Sequence, residues 1–218
     1  KPYQALRIRK AGYNFPLEPV KTKPAHGLFY QSAEIKLWTH DNLKIHYTLD
    51  GTTPTLASPV YKKPVKINTN TLVRAIAVDE NLKKSEEMSR QFIRATIVPS
   101  LKNLTVSPGI LYHYYEGQWE YLPDFDTLSS AGSGVLKQFG IPDVRQRDHF
   151  GLVFRGYVHI EKEGVYTFFC SSDDGSHLWV ADSLIVENDG CHAEREAGGQ
   201  IGLARGLHKI NVHFFENE

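Results

Sequence analysis

Apolar side chains recur at every second position along most of this chain, and no stretch of ten residues or more carries the three-to-four spacing of an amphipathic helix. A β-strand turns successive side chains to opposite faces, so this period commits the chain to an all-β fold. Ile35 and Leu37 flank Lys36, and Leu43, Ile45, Tyr47 and Leu49 alternate with Lys44, His46 and Thr48, the pattern of a strand with one wet face. That strand stops at Asp50-Gly51-Thr52-Thr53-Pro54, where glycine admits positive φ and proline cannot extend a ladder. Further strands are predicted at 64–68, 71–78 and 91–98, the last with Ile93, Ala95 and Ile97 opposing Arg94 and Thr96. Short strands with turn signals at this spacing suggest a small sandwich.

The texture changes at Pro99-Ser100-Leu101-Lys102-Asn103-Leu104-Thr105-Val106-Ser107-Pro108-Gly109, a segment bounded by prolines and closed by a glycine, which reads as an inter-domain link. After it come an aromatic stretch, Leu111 to Leu122, and a Ser/Ala/Gly segment, Ser129 to Gly134, predicted to be a loop. Strands then resume. Phe150, Leu152, Phe154, Val158 and Ile160 share one face; Tyr166, Phe168 and Cys170 alternate with Val165, Thr167 and Phe169; Ile210, Val212 and Phe214 alternate with Lys209, Asn211 and His213. Gly198, Gly199 and Gly202 lack the strand-to-helix setting of a phosphate loop and read as turn glycines.

At 218 residues with 41% hydrophobic content, the chain can bury two cores of ordinary size. Lys+Arg and Asp+Glu number 25 each, and this balance argues against an electrostatic grip on nucleic acid or an anionic membrane and favours neutral partners. The chain opens at Lys1 with no initiator Met, no signal peptide and no run long enough to cross a bilayer, which predicts a fragment of a longer protein. Its two cysteines, Cys170 and Cys191, are compatible with either a bridge or two free thiols. There is no H-E-x-x-H, C-x-x-C or G-x-S-x-G among its motifs, so zinc, redox and nucleophile-elbow chemistries find no support.

Residues 164–190 carry the densest functional signal: a strand, the turn Ser172-Asp173-Asp174-Gly175-Ser176, a second strand, and the acidic turn Glu187-Asn188-Asp189-Gly190. Adjacent carboxylates repel, so Asp173 and Asp174 at a strand end require compensation by solvent, a cation or backbone N–H groups. Calcium favours clustered carboxylate and carbonyl oxygens on loops, which makes Asp173, Asp174 and Asn188 candidate metal ligands, with Asp189 as a further donor. The alternative is a structural turn, with one carboxylate capping backbone N–H groups and the other solvated. Both readings stay open. Of the 10 histidines only His192, beside the acidic turn, merits attention as a site residue. Trp179 faces away from Leu178 and Val180, hence either outward or against another layer. Tyr112, Tyr114, Tyr115, Trp119 and Tyr121 could stack on sugar rings, but core packing explains them better.

In the first half, I-H-Y-T-L-D-G-T-T-P-T at 45–55, S-P-V-Y at 58–61 and L-V-R-A-I-A-V at 72–78 resemble the chitobiase/β-hexosaminidase C-terminal domain, an immunoglobulin-like sandwich. In the second, Y-Y-E-G at 114–117, D-H-F at 148–150, G-Y-V at 156–158, S-D-D-G-S at 172–176, the E-N-D-G turn and G-L-H-K-I at 206–210 resemble the protective-antigen-type domain, a β-barrel or sandwich module of secreted glycosidases, adhesins and toxins. The sequence ends at F-F-E-N-E, ahead of the final strand that this second family usually carries. The expected organisation is residues 1–14 as the tail of a catalytic region, 15–98 as the first sandwich, 99–107 as linker and 108–218 as the second module. The resemblance implies a non-catalytic accessory region of an exported bacterial glycoside hydrolase, in the periplasm, on the outer membrane or outside the cell. A β-N-acetylhexosaminidase is the leading parent, with an α-fucosidase or β-glucosidase next. Implied partners are a glycan and the catalytic domain of the same parent chain, with no nucleic acid and no membrane span. Adhesin members bind calcium through an Asp-Asp pair joined by a cis peptide, so the rival reading is a calcium-dependent lectin using Asp173, Asp174, Trp179, Asn188, Asp189 and His192. A self-standing hydrolase finds little support: the Asp79-Glu80 dipeptide lacks the H-x-G-G that precedes the hexosaminidase catalytic pair and reads as a turn.

Overall fold

The computed structural model describes residues 16–24, 27–41, 43–143 and 148–217, and the tail expected at residues 1–14 falls outside them. The chain divides after Ala95 into two compact units, Lys1–Ala95 and Thr96–Glu218. Apart from one 3-10 turn at Phe125–Thr127, every regular element described is a strand.

The first unit contains β1 (Lys21–Lys23), β2 (Leu28–Phe29), β3 (Ala33–Trp38), β4 (Lys44–Thr48), β5 (Val65–Ile67), β6 (Thr71–Val78) and β7 (Met88–Arg94). They pair into a sheet ordered β1-β3-β5 and another ordered β2-β7-β6-β4. Ile35 and Leu37 of β3 meet Val73 and Ala75 of β6 and Phe92 of β7 in one core. Arg74 reaches out of β6 to make a bidentate pair with Glu87, at 2.6 and 2.9 Å, and its Nη1 donates to the Gly51 carbonyl at 2.9 Å. The turn after β4 is held locally: Asp50 Oδ1 accepts from Thr52 N at 3.0 Å and Thr52 Oγ1 at 2.6 Å. The Thr52 hydroxyl, followed by its backbone N–H, holds the exposed Asp50 carboxyl below the usual carboxylate range.

The second unit contains β8 (Ile97–Val98), β9 (Ile110–Glu116), β10 (Gly132–Leu136), β11 (Phe150–Ile160), β12 (Gly164–Ser172), β13 (Ser176–Val180), β14 (Ser183–Asn188), β15 (Arg195–Leu203) and β16 (Gly206–Glu216). A six-stranded sheet runs β10-β9-β11-β16-β13-β14 and a three-stranded one β12-β15-β8. Phe150, Leu152 and Phe154 of β11, Leu178 and Val180 of β13, and Ile201 and Leu203 of β15 share a core with Tyr166, Phe168 and Cys170 of β12 packed against it. The two sheets therefore face each other as a sandwich, and among the described residues they are not joined into one closed barrel. Behind the larger sheet, Tyr115, Phe125 and Val153 form a second cluster with Trp119 and Leu122, where the β9–β10 connection folds over the outer face.

Three sequence expectations are corrected. The strand predicted at 91–98 ends at Arg94, and Ile97–Val98 pairs in parallel with Gly202 and Leu203 of the second unit. The apolar face read from Ile93, Ala95 and Ile97 is not continuous. In β7 Phe92 is fully buried and Ile93 is 43% exposed, whereas Ala95 and Ile97 beyond the break are half-buried, so the phase slips by one residue where the chain changes sheets. The loop predicted at Ser129–Gly134 already contains the start of β10, paired with β9 through Gly132↔Tyr114 and Gly134↔Tyr112. A Cβ on Gly134 would lie 2.8 Å from the Tyr112 ring, so the glycine makes room for a large cross-strand neighbour. Gly198, Gly199 and Gly202 are not turn residues; they lie inside β15. A Cβ on Gly199 would collide with the Ile185 carbonyl, and one on Gly198 would sit 2.7 Å from the Phe169 ring, so these glycines let β14 and β12 approach β15 closely.

Candidate functional site

Between β12 and β13, Asp173, Asp174 and Gly175 connect a strand of one sheet to a strand of the other. Asp174 adopts a left-handed conformation, φ 58°, and is only 6% exposed. Its Oδ1 accepts from His192 N at 3.1 Å and its Oδ2 from Asn217 N at 2.8 Å, while its own N–H donates to the His192 carbonyl at 2.9 Å. Both carboxylate oxygens are thus occupied by backbone donors from distant segments. Asp173, by contrast, is exposed. The peptide joining the two is trans; the cis bond among the described residues is Lys23–Pro24.

Around this turn a buried polar network settles the remaining groups. Ser172 Oγ donates to the Asp174 carbonyl at 2.9 Å, so it accepts from Ser176 Oγ at 2.8 Å and from Asn188 Nδ2 at 3.1 Å. Asn188, 1% exposed, also donates from Nδ2 to the Arg195 carbonyl at 3.1 Å and accepts from Arg195 Nε at 2.6 Å. His192 Nε2 lies 3.2 Å from the Asn188 carbonyl. Asp189 Oδ1 accepts from Leu122 N at 2.9 Å and Gly190 N at 2.8 Å, fastening the β9–β10 connection to the same corner. Asn217 completes it: its Nδ2 donates to the Trp119 carbonyl at 2.6 Å and its Oδ1 accepts from Trp119 N at 3.3 Å.

Four of the residues singled out from sequence, Asp174, Asn188, Asp189 and His192, therefore meet in one corner. Asp173 stands outside it, on the rim of an apolar cavity of about 680 Å³ walled by Phe154, Phe168 and Phe214. Trp179 is on the outer face of β13, its ring 4.6 Å from that of His213 and 5.3 Å from that of His177. Ser172, Ser176, Arg195 and Asn217 were missed. The two serines flank the acidic pair and signal their role, whereas nothing around Asn217 distinguishes it from a surface polar residue.

As placed, Asp173, Asp174 and Asn188 do not offer free oxygens to a common point. Two N–H groups point at the Asp174 carboxylate and a guanidinium occupies the Asn188 oxygen, so a calcium ion there would face donors of its own sign. Among the described residues no three His, Cys, Asp or Glu side chains converge as a metal would require. The corner as built is a hydrogen-bonded latch. Cys170 and Cys191 are free thiols. Burial pushes the Cys170 thiol up to about 11, which keeps it a non-nucleophilic thiol at neutral pH.

The other candidates resolve into structure. Asp79 Oδ1 accepts from Asn81 N and Lys83 N, both at 2.9 Å, in the connection after β6, so the Asp79-Glu80 dipeptide belongs to a turn. Tyr114 and Tyr115 are buried, Tyr112 packs against the main core, Trp119 joins the outer cluster, and Tyr121 is exposed. No described helix is long and apolar enough to cross a membrane.

An all-β tandem whose second sandwich is latched by an acidic turn crossing from one sheet to the other can be set beside known domains. Residues 24–90 match the chitobiase/beta-hexosaminidase C-terminal domain and, after them, residues 139–218 match the PA14 domain, the protective-antigen-type fold. A beta-hexosaminidase of Porphyromonas gingivalis is 24% identical over 222 residues, covering 95% of this chain and 28% of that protein. The chain thus spans little more than a quarter of the length of its curated relative. Among solved structures, the PA14 domain of the MpAFP antifreeze protein is similar at 16% identity and a TM-score of 0.42, over 54% of this chain and 82% of that one. An anti-sigma factor domain-containing protein from Clostridium clariflavum is similar at 14% identity and a TM-score of 0.42, over 94% of this chain and 72% of that one.

Proposed function

We propose that this chain is the non-catalytic accessory region of an exported bacterial glycoside hydrolase, a β-N-acetylhexosaminidase before an α-fucosidase or β-glucosidase. In that role the first sandwich is a spacer and the second a module that contacts glycan or shapes the entrance to the catalytic site. One observation carries the reading: the alignment with the P. gingivalis beta-hexosaminidase runs through 95% of this chain, across both domains, and accounts for only 28% of the relative. A match of that proportion supports a segment of a larger protein, and the periplasm, outer membrane or extracellular space is where such an enzyme would meet its polymer. The self-standing lectin reading requires Asp174 to exchange two backbone donors for a cation, which the latch opposes.

The test compares the parent hydrolase with and without residues 16–218 on chromogenic monosaccharide substrates and on oligosaccharides of increasing length. An accessory role predicts little change on the monosaccharide and a rise in KM that grows with chain length. Release of sugar by the isolated 218-residue chain, stopped by one carboxylate substitution, would overturn the proposal.

A further inference from the structure

We propose that Trp179, with Asp182, Lys209 and Asn211, forms a binding site for the face of a single sugar ring, apart from the Asp174 corner. The inference rests on the glycan-contacting reading above and gives that contact a location. On the outer face of the six-stranded sheet, His177 and Trp179 of β13 stand opposite His213 and Asn211 of β16 in the strand register. The indole lies tilted at 57° against His213 and edge-on, at 86°, to His177. Flanked by two rings, it is held in one orientation, which lowers the entropy lost when a ligand stacks on it.

The β13–β14 connection then brings charge to the indole. Ala181 and Asp182 both take left-handed conformations, φ 50° and 63°, the geometry of a two-residue hairpin turn. Ala181 N donates to the Lys209 carbonyl at 2.9 Å, and the Asp182 carboxylate reaches Lys209 Nζ at 3.0 Å. This ion pair is largely exposed, with side chains 54% and 77% accessible, so it adds little to stability and remains available to a ligand. Trp179, Asp182, Lys209 and Asn211 together line a hollow of about 120 Å³.

The chemistry of that hollow matches a pyranose. Axial C–H groups suit an indole face, and adjacent hydroxyls need an acceptor and a donor side by side, which the carboxylate and ammonium supply. Among the described residues Asn211 Oδ1, itself buried, finds no donor, so a turn of this amide toward the hollow gains it a bond from a ligand hydroxyl or a water. Size sets the limit: the hollow falls well short of the roughly 300–1,000 Å³ that enclose a drug-sized molecule, so it seats one ring and not an oligosaccharide.

The test titrates the 218-residue chain with the methyl glycosides of glucose, galactose and N-acetylglucosamine while following the indole N–H resonances of its 3 tryptophans. The Trp179 resonance is the one lost in Trp179→Phe. At least one glycoside should shift it saturably in the millimolar range, with Trp38 unmoved. Trp179→Ala should weaken binding at least tenfold, Lys209→Ala and Asp182→Asn severalfold, and neither Asp173→Asn nor a chelator should matter. Lys209→Ala and Asp182→Asn alter exposed side chains, so they carry the test if Trp179→Ala fails to fold. Shifts confined to residues of the Asp173–Asn188 turns and removed by chelator would overturn this site and leave glycan contact standing. No shift with any of the three glycosides would overturn both.

Discussion

The Asp50-Gly51 turn of the first unit and the Asp174-Gly175 turn of the second are both Asp-Gly connections at strand ends, yet their carboxylates act over different distances. Asp50 is exposed and accepts from Thr52, two residues on, through both a backbone N–H and a hydroxyl. Asp174 is buried and accepts from His192 and Asn217, 18 and 43 residues on. A carboxylate that caps its own loop fixes a local shape. One that caps remote backbone fastens separate parts of the chain together, so the same dipeptide has a different value in each unit.

The sharpest test of that contrast is Asp174→Ala. It leaves two N–H groups without acceptors in a crowded corner and should destabilise the second unit by roughly 3–5 kcal/mol, read by chemical denaturation, with the transition of the first unit unmoved. Asp174→Asn should retain part of this, because the amide oxygen can still accept one bond. Next in size, Asn188→Ala strips Ser172 and Arg195 of a shared partner at a buried position and should cost about 2–3 kcal/mol in the same assay. If either substitution proved as mild as one at the surface, the latch would be an incidental contact.

A pH profile probes the outer face of the same unit. Burial, aided by the Arg155 charge, lowers the His213 ring to about 4 from an ordinary value of 6.5. The unfolded chain therefore binds a proton that the folded one refuses. The stability this ring contributes is complete above about pH 6.5 and falls as the pH drops towards 4, by about 1–2 kcal/mol after allowing for solvent screening. His213→Phe keeps an aromatic ring between Phe125 and Trp179 and should flatten that part of the profile. Smallest of all is Asp50→Ala, which should leave both melting transitions where they are; a large shift would erase the distinction between the two turns.

Much of the architecture was legible because alternation reports directly on which side chains face a core. Ile35 and Leu37, Val73 and Ala75, Phe150, Leu152 and Phe154 all point where their spacing says. Partner choice is less visible: nothing in the letters from Ile93 to Val98 announces that the chain leaves one sheet at Arg94 and joins another at Ile97. The acidic pair is an intermediate case. Like-charge repulsion says that Asp173 and Asp174 need compensation, and the serines at 172 and 176 hint at a polar network. That backbone N–H groups supply it, and that one of them comes from Asn217, depends on how the chain leaves β16. Glycines within β15 were misread for a related reason, since a small residue can serve a bend or a close approach and composition does not separate the two.

The Asn217-to-Asp174 bond also bears on the order of assembly. During synthesis the acidic pair emerges long before residue 217, and until the β16 segment docks its negative charges can be satisfied only by water. The second unit should therefore gain its final cooperativity late, in one step that waits on the slow closure of distant strands. A nascent chain stalled just short of Asn217 should be open to proteases at the acidic pair, and a few more residues should protect it.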